Sequence, residues 1–229
     1  MKTTAKPELS CSVISGDPLS ISEDVFLLEK GGINSFHFDV MDGVFVPRLG
    51  LYPEYLRMLK SLTSLPIEIH LMLQDPEPYI EHFTKFGEVK LIPHIESMRH
   101  PIRTLMKIKD ENCTAGVAVN PGTHFSTIEP VIDHIDSIML MSINPGIVGH
   151  KLLDNTYERL TALKKMIGPD KKIKIVLDGG VTFENAVQLI EAGADSIVCG
   201  AGTVFKDKNS VLENTSGLRN LVDNISVKG

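Results

Sequence analysis

Residues 35–61 read SFHFDVMDGVFVPRLGLYPEYLRMLKS, which is a short apolar run followed by a loop and an amphipathic stretch. The apolar run at residues 35–40 predicts a β-strand, and residues 52–61 have the apolar spacing of a helix. Comparable strand–helix pairs recur along the whole chain. Eight successive units of this kind predict an α/β protein of the (β/α)8 TIM-barrel type, with a doubly wound open sheet as the alternative.

The predicted strands and helices alternate along most of the chain. The strands are expected at residues 9–14, 35–40, 67–72, 89–94, 114–119, 137–143, 173–178 and 196–199. The helices are expected at residues 22–30, 52–61, 76–86, 101–109, 152–167, 182–192 and 208–225. Because no linker rich in Pro, Gly or Ser divides this pattern, we expect residues 1–229 to form a single barrel domain.

Composition excludes several classes of protein. With 42% hydrophobic residues and a net charge of −6, the chain is neither disordered nor suited to binding nucleic acid. No uncharged apolar run reaches the roughly 18 residues that a membrane span requires. Residues 1–13 lack the apolar core of a secretory signal, so we expect a cytoplasmic protein. Cys11, Cys113 and Cys199 are therefore expected to be reduced, buried thiols.

Polar side chains occupy the ends of several predicted strands, where a barrel of this type carries its chemistry. His37 and Asp39 share one face of their strand because alternate residues point the same way. His70 and Asp178 end two other strands. Two imidazoles and two carboxylates at one barrel mouth predict a site for one divalent metal ion, such as Zn²⁺, Fe²⁺, Mn²⁺ or Co²⁺. The alternative is that each histidine is a hydrogen-bonded core residue.

Two carboxylates beside a metal suit the inversion of a carbon that carries an acidic proton. One carboxylate removes the proton from one face, and the other returns a proton to the opposite face. Asp39 and Asp178 are the candidates for these roles, and the metal would stabilise the enediolate intermediate. Met41, Met72 and Met141 are predicted to flank that intermediate with apolar sulfur atoms, although methionine commonly fills gaps in a core.

Glycine-rich loops follow the last three predicted strands, at residues 144–149, 178–180 and 200–202. The loops after strands seven and eight of such barrels commonly hold a phosphate group through backbone N–H groups. We therefore expect a small phosphorylated substrate.

Five segments of the chain resemble the ribulose-phosphate 3-epimerase family. The most specific is HFDVMDGVFVP, from His37 to Pro47; the others are residues 11–15, 70–72, 141–146 and 176–181. The resemblance covers nearly the whole chain in the same order. It implies a metal-dependent isomerase that interconverts D-ribulose 5-phosphate and D-xylulose 5-phosphate, as in the pentose phosphate pathway of carbohydrate metabolism, and that assembles as a homodimer or homohexamer.

The resemblance also implies roles for individual residues. His37, Asp39, His70 and Asp178 would bind the metal, and Asp39 and Asp178 would be the acid/base pair. The substrate and its phosphate would be contacted by Ser12, His70, Gly146, Ile147, Val148, Gly149, Gly179, Gly180, Gly200 and Ala201.

Several positions depart from the family pattern, most of them around the expected phosphate end and Arg48 near the barrel mouth. They are Arg48, Ile147, Val148, His150, Ala201 and Gly202. An epimerase of a related ketose phosphate such as D-allulose 6-phosphate is therefore an alternative. A lyase on a similar barrel is disfavoured by the lack of an Asp-x-Lys-x-x-Asp array. A non-catalytic sugar-phosphate-binding barrel is disfavoured by the retention of both carboxylates.

Overall fold

Eight parallel strands close into a barrel in the computed structural model, which describes residues 6–147, 149–207 and 210–225. Each strand pairs with the next, and β8 pairs with β1, with Cys11 opposite Cys199. This last pairing confirms the closed barrel and excludes the open sheet. The strands are β1 (Glu8–Ser12), β2 (Ser35–Met41), β3 (Ile67–Met72), β4 (Lys90–Pro93), β5 (Thr114–Val119), β6 (Ser137–Met141), β7 (Lys174–Asp178) and β8 (Ser196–Cys199).

Helices connect most of the strands on the outside of the barrel. They are α1 (Ile21–Gly31), α2 (Pro53–Leu62), α3 (Ile80–Thr84), α4 (Pro101–Asp110), α5 (Thr156–Ile167), α6 (Ala186–Glu191) and α7 (Val211–Asp223). Proline at the first position of α2 and α4 suits a helix start, because that residue needs no intrahelical N–H bond. Across the described ranges, no helix combines the length and apolar character needed to cross a membrane.

Three of the predicted helices begin later than expected. Residues 76–79 form a 3₁₀ turn (Glu77–Tyr79) and its flank, so α3 is short. The chain before α5 is bound to the residue that follows β6, because Leu153 N–H donates to Ser142 O, and α5 starts only at Thr156. The Asn185 side chain accepts from Thr182 N–H and donates to Gly180 O, which delays the start of α6 to Ala186. Side-chain hydrogen bonds of this kind compete with helical ones.

The first strand is shorter than predicted. The predicted strand at residues 9–14 ends at Ser12, because Val13–Ser15 turns into a 3₁₀ helix that leads over the barrel mouth. Between β5 and β6, where no helix is predicted, the chain forms the 3₁₀ segments Phe125–Thr127 and Glu129–His134. The predicted helix at residues 208–225 is α7, and residues 208 and 209 lie outside the described residues.

The hydrophobic core lies mainly between the barrel and its helices. Outward-facing strand residues such as Phe36, Phe38 and Leu71 are fully buried there. A second apolar layer fills the barrel interior and consists of Ile92, Ala118, Met139, Met141, Val176 and Val198. His37, Asp39 and His70 face inward near this layer, from β2 and β3.

All three cysteines are buried and free, as the sequence predicts. Burial raises the pKa of the Cys11 thiol well above its usual value and that of Cys199 to about 12. Both thiols are therefore protonated at neutral pH and poorly reactive.

Leu56 on α2 is fully buried in the outer core, whereas Leu19 is 96% exposed. We predict that Leu56→Ala lowers the free energy of unfolding by about 2–5 kcal/mol, because it removes buried methyl groups and leaves a cavity. The matched change Leu19→Ala should alter it by less than about 0.5 kcal/mol. Urea unfolding of the two variants measures both values; equal midpoints would contradict the described packing.

Candidate active site

The four predicted metal ligands converge at the mouth of the barrel. His37 and Asp39 face inward from β2, and the strand register places Asp39 beside His70 on β3. Asp178 ends β7 and enters the same cluster. Among the described residues, this is the group of histidines and carboxylates that could hold a metal ion, with one donor atom of each residue within 4.8 Å of all the others.

The spacing of these donor atoms fits a tetrahedral ion. His37 Nε2 lies 3.0 Å from Asp39 Oδ1 and 3.8 Å from Asp178 Oδ2. His70 Nδ1 lies 3.4 Å from the same oxygen of each carboxylate. Metal–ligand bonds of about 2.0–2.2 Å in a tetrahedron separate neighbouring donor atoms by about 3.3–3.6 Å. The four donor atoms therefore lie close enough together to share one divalent ion.

His70 Nδ1 is buried and makes no hydrogen bond despite its two carboxylate neighbours. A buried polar atom without a partner is costly unless something satisfies it. The atom points into the space between Asp39 and Asp178, so a cation held there would satisfy it.

The electrostatics of the cluster also favour a positive charge at its centre. Burial by itself lowers the pKa of His37, but the Asp39 and Asp178 carboxylates outweigh it and raise that pKa well above its usual value. Burial also opposes ionisation of Asp39, yet His37 and His70 hold the pKa of its carboxyl well below its usual range. The pKa of His70 behaves in the same way as that of His37. Burial lowers it, but the two carboxylates outweigh burial and raise it above its ordinary value.

Three further residues hold the histidines, and the sequence prediction gave none of them a role in the site. Glu68 Oε1 lies 3.1 Å from His37 Nδ1, and His94 Nε2 lies 2.8 Å from His70 Nε2. Glu96 in turn contacts His94. Burial raises the pKa of Glu68, but His37 and Lys90 lower it to about 2. The sequence could have revealed Glu68 through the two-residue alternation of a strand, because Glu68 shares the inward face of β3 with His70.

A cavity of about 810 Å³ opens above the cluster. Both carboxylates line it, whereas His37 and His70 are fully buried beneath them. The other predicted site residues that line it are Ser12, Met41, Met72, Met141, Gly146, Ile147, Gly149, Gly179, Gly180, Gly200 and Ala201. Val148 lies outside the described residues. The structure thus brings the acidic pair, the methionines and the glycine loops to one cavity.

Ser12 lies directly against one of the carboxylates. Its hydroxyl donates to Asp39 Oδ2 at 2.7 Å, while Asp39 Oδ1 faces His37. The two oxygens of Asp39 are therefore held in different environments, one toward the cation position and one toward the cavity wall.

The glycine loops place backbone against the cavity. Gly179 has a φ of +106°, and a Cβ atom there would lie 2.4 Å from Ile143 Cγ1. The positive φ and the close contact with Ile143 both exclude a side chain at this position. In the next loop, Gly200 N–H donates to Thr203 Oγ1, so this amide is already engaged within the protein.

The positions that depart from the family pattern also surround the cavity. Arg48, His150 and Gly202 line it, and so does Lys151, which the sequence did not single out. Arg48 and Lys151 add positive charge to the lining of the cavity that the glycine loops also border.

The sequence profile of the ribulose-phosphate 3 epimerase family matches residues 8–205. The chain belongs to the ribulose-phosphate 3 epimerase family. It is 41% identical to the ribulose-phosphate 3-epimerase of Aquifex aeolicus over 197 residues, which cover 85% of this chain and 88% of that protein. It is 38% identical to the Bacillus subtilis ribulose-phosphate 3-epimerase over 192 residues, which cover 83% of this chain and 88% of the relative.

Among solved structures, this epimerase-family chain is similar to KGPDC from Streptococcus mutans. The TM-score is 0.73 at 13% sequence identity, with 96% of this chain and 99% of the other covered. At that identity the likeness supports the TIM-barrel fold and nothing further.

We predict that the metal-free chain binds one equivalent of Zn²⁺ and that His37→Gln weakens this binding by at least tenfold, because one ligand is lost. His82→Ala, which removes an exposed histidine on α3, is the control and should bind zinc as the unaltered chain does. Competition with a zinc chelator measures the affinities, and circular dichroism verifies the fold. Equal affinity in His37→Gln would place the ion elsewhere.

Proposed function

We propose that this chain is a ribulose-phosphate 3-epimerase, an isomerase that interconverts D-ribulose 5-phosphate and D-xylulose 5-phosphate. The observation that carries the proposal is the pair Asp39 and Asp178, two carboxylates that line one cavity and share one set of candidate metal ligands. The names of the relatives with 33–41% identity support the same substrate pair.

The two carboxylates exchange protons with the substrate at C3. One removes the C3 proton from one face of the sugar, and the other delivers a proton to the opposite face. The roles exchange when the reaction runs in the other direction. His37 and His70 keep the Asp39 carboxyl ionised by lowering its pKa, and the ionised form is the one that can accept a proton. Ser12 holds the orientation of the Asp39 carboxylate through its hydroxyl hydrogen bond.

His37, Asp39, His70 and Asp178 would hold the divalent ion, and their N and O donors suit Zn²⁺, Fe²⁺, Mn²⁺ or Co²⁺. When bound, the ion would supply positive charge close to the negative charge that develops on the substrate oxygens of the enediolate. The buried imidazoles fix the ligand set from below, which leaves the carboxylates accessible from the cavity.

The three methionines supply the apolar part of the site. Met41, Met72 and Met141 are nearly fully buried, yet each contributes to the cavity lining. Their thioethers pack against a planar intermediate and exclude water, and they carry no proton that competes with C3. Met41 and Met72 are held in register on neighbouring strands.

The phosphate is expected at the opposite end of the cavity, near the loops after β6, β7 and β8. Gly146, Gly149, Gly179 and Gly180 allow the backbone to approach the substrate there. Lys151 supplies a positive charge on the same side. Because Gly200 N–H is engaged by Thr203, the loop after β8 contributes through its other groups, including Ala201.

The assembly, location and specificity of the chain remain sequence predictions. A homodimer or homohexamer, a cytoplasmic location and the lack of nucleic-acid and membrane partners follow from the resemblance and the composition. Recognition of D-allulose 6-phosphate is the alternative suggested by Ile147, His150, Ala201 and Gly202 at the cavity wall, whereas the relatives' names favour the pentulose phosphate.

The test is deuterium incorporation at C3 of D-ribulose 5-phosphate in heavy water. The unaltered chain should exchange this proton and form D-xylulose 5-phosphate, and chelation should abolish both until one divalent ion is restored. Asp178→Asn should lower kcat by about 10²–10⁴-fold, because an amide cannot act as acid or base. Asp170→Asn, at an exposed position away from the cavity, is the matched control.

Three results would contradict the proposal. Near-normal turnover by folded, metal-loaded Asp178→Asn would exclude the two-carboxylate mechanism. Full activity after exhaustive chelation would exclude the metal. D-allulose 6-phosphate is assayed in parallel; one added carbon is worth roughly 10–200-fold in discrimination. A hexulose preference beyond that range would assign the chain to the alternative substrate.

A further inference from the structure

A buried chain of hydrogen bonds runs from His70 to the loop after β4. His70 Nε2 lies 2.8 Å from His94 Nε2, and His94 Nδ1 lies 3.2 Å from Glu96 Oε2. The two imidazole planes differ by 22°, with centroids 4.9 Å apart, which is the edge-to-edge geometry of a ring-to-ring hydrogen bond. Both rings are completely buried, and Phe45 packs against His94 at 4.7 Å between centroids.

The carboxylate at the end of this chain fixes where the protons lie. Glu96 Oε1 accepts from Asn120 N–H at 2.8 Å, so its other oxygen is left as an acceptor for His94. His94 must then carry its proton on Nδ1, and its Nε2 becomes an acceptor. His70 Nε2 must donate to that acceptor. The remaining His70 nitrogen, Nδ1, is the one that faces Asp39 and Asp178.

His37 reaches the same state through a single contact. Its Nδ1 lies 3.1 Å from Glu68 Oε1, so that nitrogen carries the proton and Nε2 faces the carboxylates. Metal-binding histidines commonly donate their second N–H to a carboxylate, which fixes the ring and the tautomer. For His70, the neighbouring inward position on β4 provides only the apolar Ile92, and the nearest acceptor is another imidazole.

We infer that Glu96 and His94 are positioning residues for the metal site, with Glu96 setting the tautomer of His70 through His94. This inference rests on the proposed function, because it presumes that the cluster binds a divalent ion. Glu96 touches neither the cation position nor the cavity. Its effect therefore reaches the site only through the two imidazoles.

Glu96→Gln tests the relay because glutamine has one acceptor where glutamate has two. If the amide oxygen serves Asn120 N–H, the NH₂ group faces His94 and reverses both tautomers, so that His70 presents N–H to the cation. If the oxygen serves His94, Asn120 N–H loses its acceptor. We expect zinc affinity to fall by about 10–100-fold, as for other residues that orient metal ligands.

Glu77→Gln is the matched control. The Glu77 side chain is 25% exposed and that of Glu96 is 22% exposed, but Glu77 pairs with Arg103 on the outside of the barrel. It should bind zinc as the unaltered chain does. His94→Phe is a second test variant, because it keeps an aromatic ring beside Phe45 and removes the acceptor; it should lose affinity by a similar factor.

The measurements are zinc affinity by chelator competition and the imidazole ¹⁵N shifts of His70, neither of which depends on turnover. The inference predicts a proton on His70 Nε2 in the zinc-bound chain and a changed His70 signal in Glu96→Gln. Unchanged zinc affinity in both Glu96→Gln and His94→Phe, with an unchanged His70 tautomer in Glu96→Gln, would overturn the relay and leave the proposed metal site intact. Failure of the unaltered chain to bind zinc would overturn both.

Discussion

The site depends on the mutual attraction of two buried imidazoles, two carboxylates and the charge between them. The donor atoms of His37, Asp39, His70 and Asp178 lie close together in the barrel mouth, where both imidazoles are fully buried and both carboxylates are largely buried. Buried carboxylates without compensation are strongly destabilising. The arrangement is therefore stable only with positive charge at its centre, which protons on the imidazoles or a divalent cation provide.

The barrel can hold two imidazoles and two carboxylates this close together because its strands are rigid and their register is fixed. Two inward positions on β2 deliver His37 and Asp39, and the paired position on β3 delivers His70. Apart from the segment after β4 that carries His94 and Glu96, the loops contribute only above the carboxylates, where substrate is expected. Sheet geometry and two hydrogen-bond acceptors, Glu68 and His94, thus position the imidazoles. The loops determine which ketose phosphate fits.

The alternation of strands and helices was sufficient to predict the barrel, and two-residue periodicity in the sequence placed His37 and Asp39 on the inner face of their strand. Element ends were less accurate, because a side chain such as Asn185 redirects the backbone through contacts that no periodicity records. The same limit applies to the site. The pairing of His94 with His70 joins residues 24 positions apart, and it depends on the stagger between β3 and the end of β4.

The most direct test of this account is anomalous diffraction at the zinc edge from crystals of the zinc-loaded chain. It predicts one peak at the barrel mouth, bound by His37 Nε2, His70 Nδ1 and one oxygen each of Asp39 and Asp178. It also predicts that His70 keeps its contact with His94. A peak elsewhere, or coordination by His70 through Nε2 with the ring turned away from His94, would contradict the central claim.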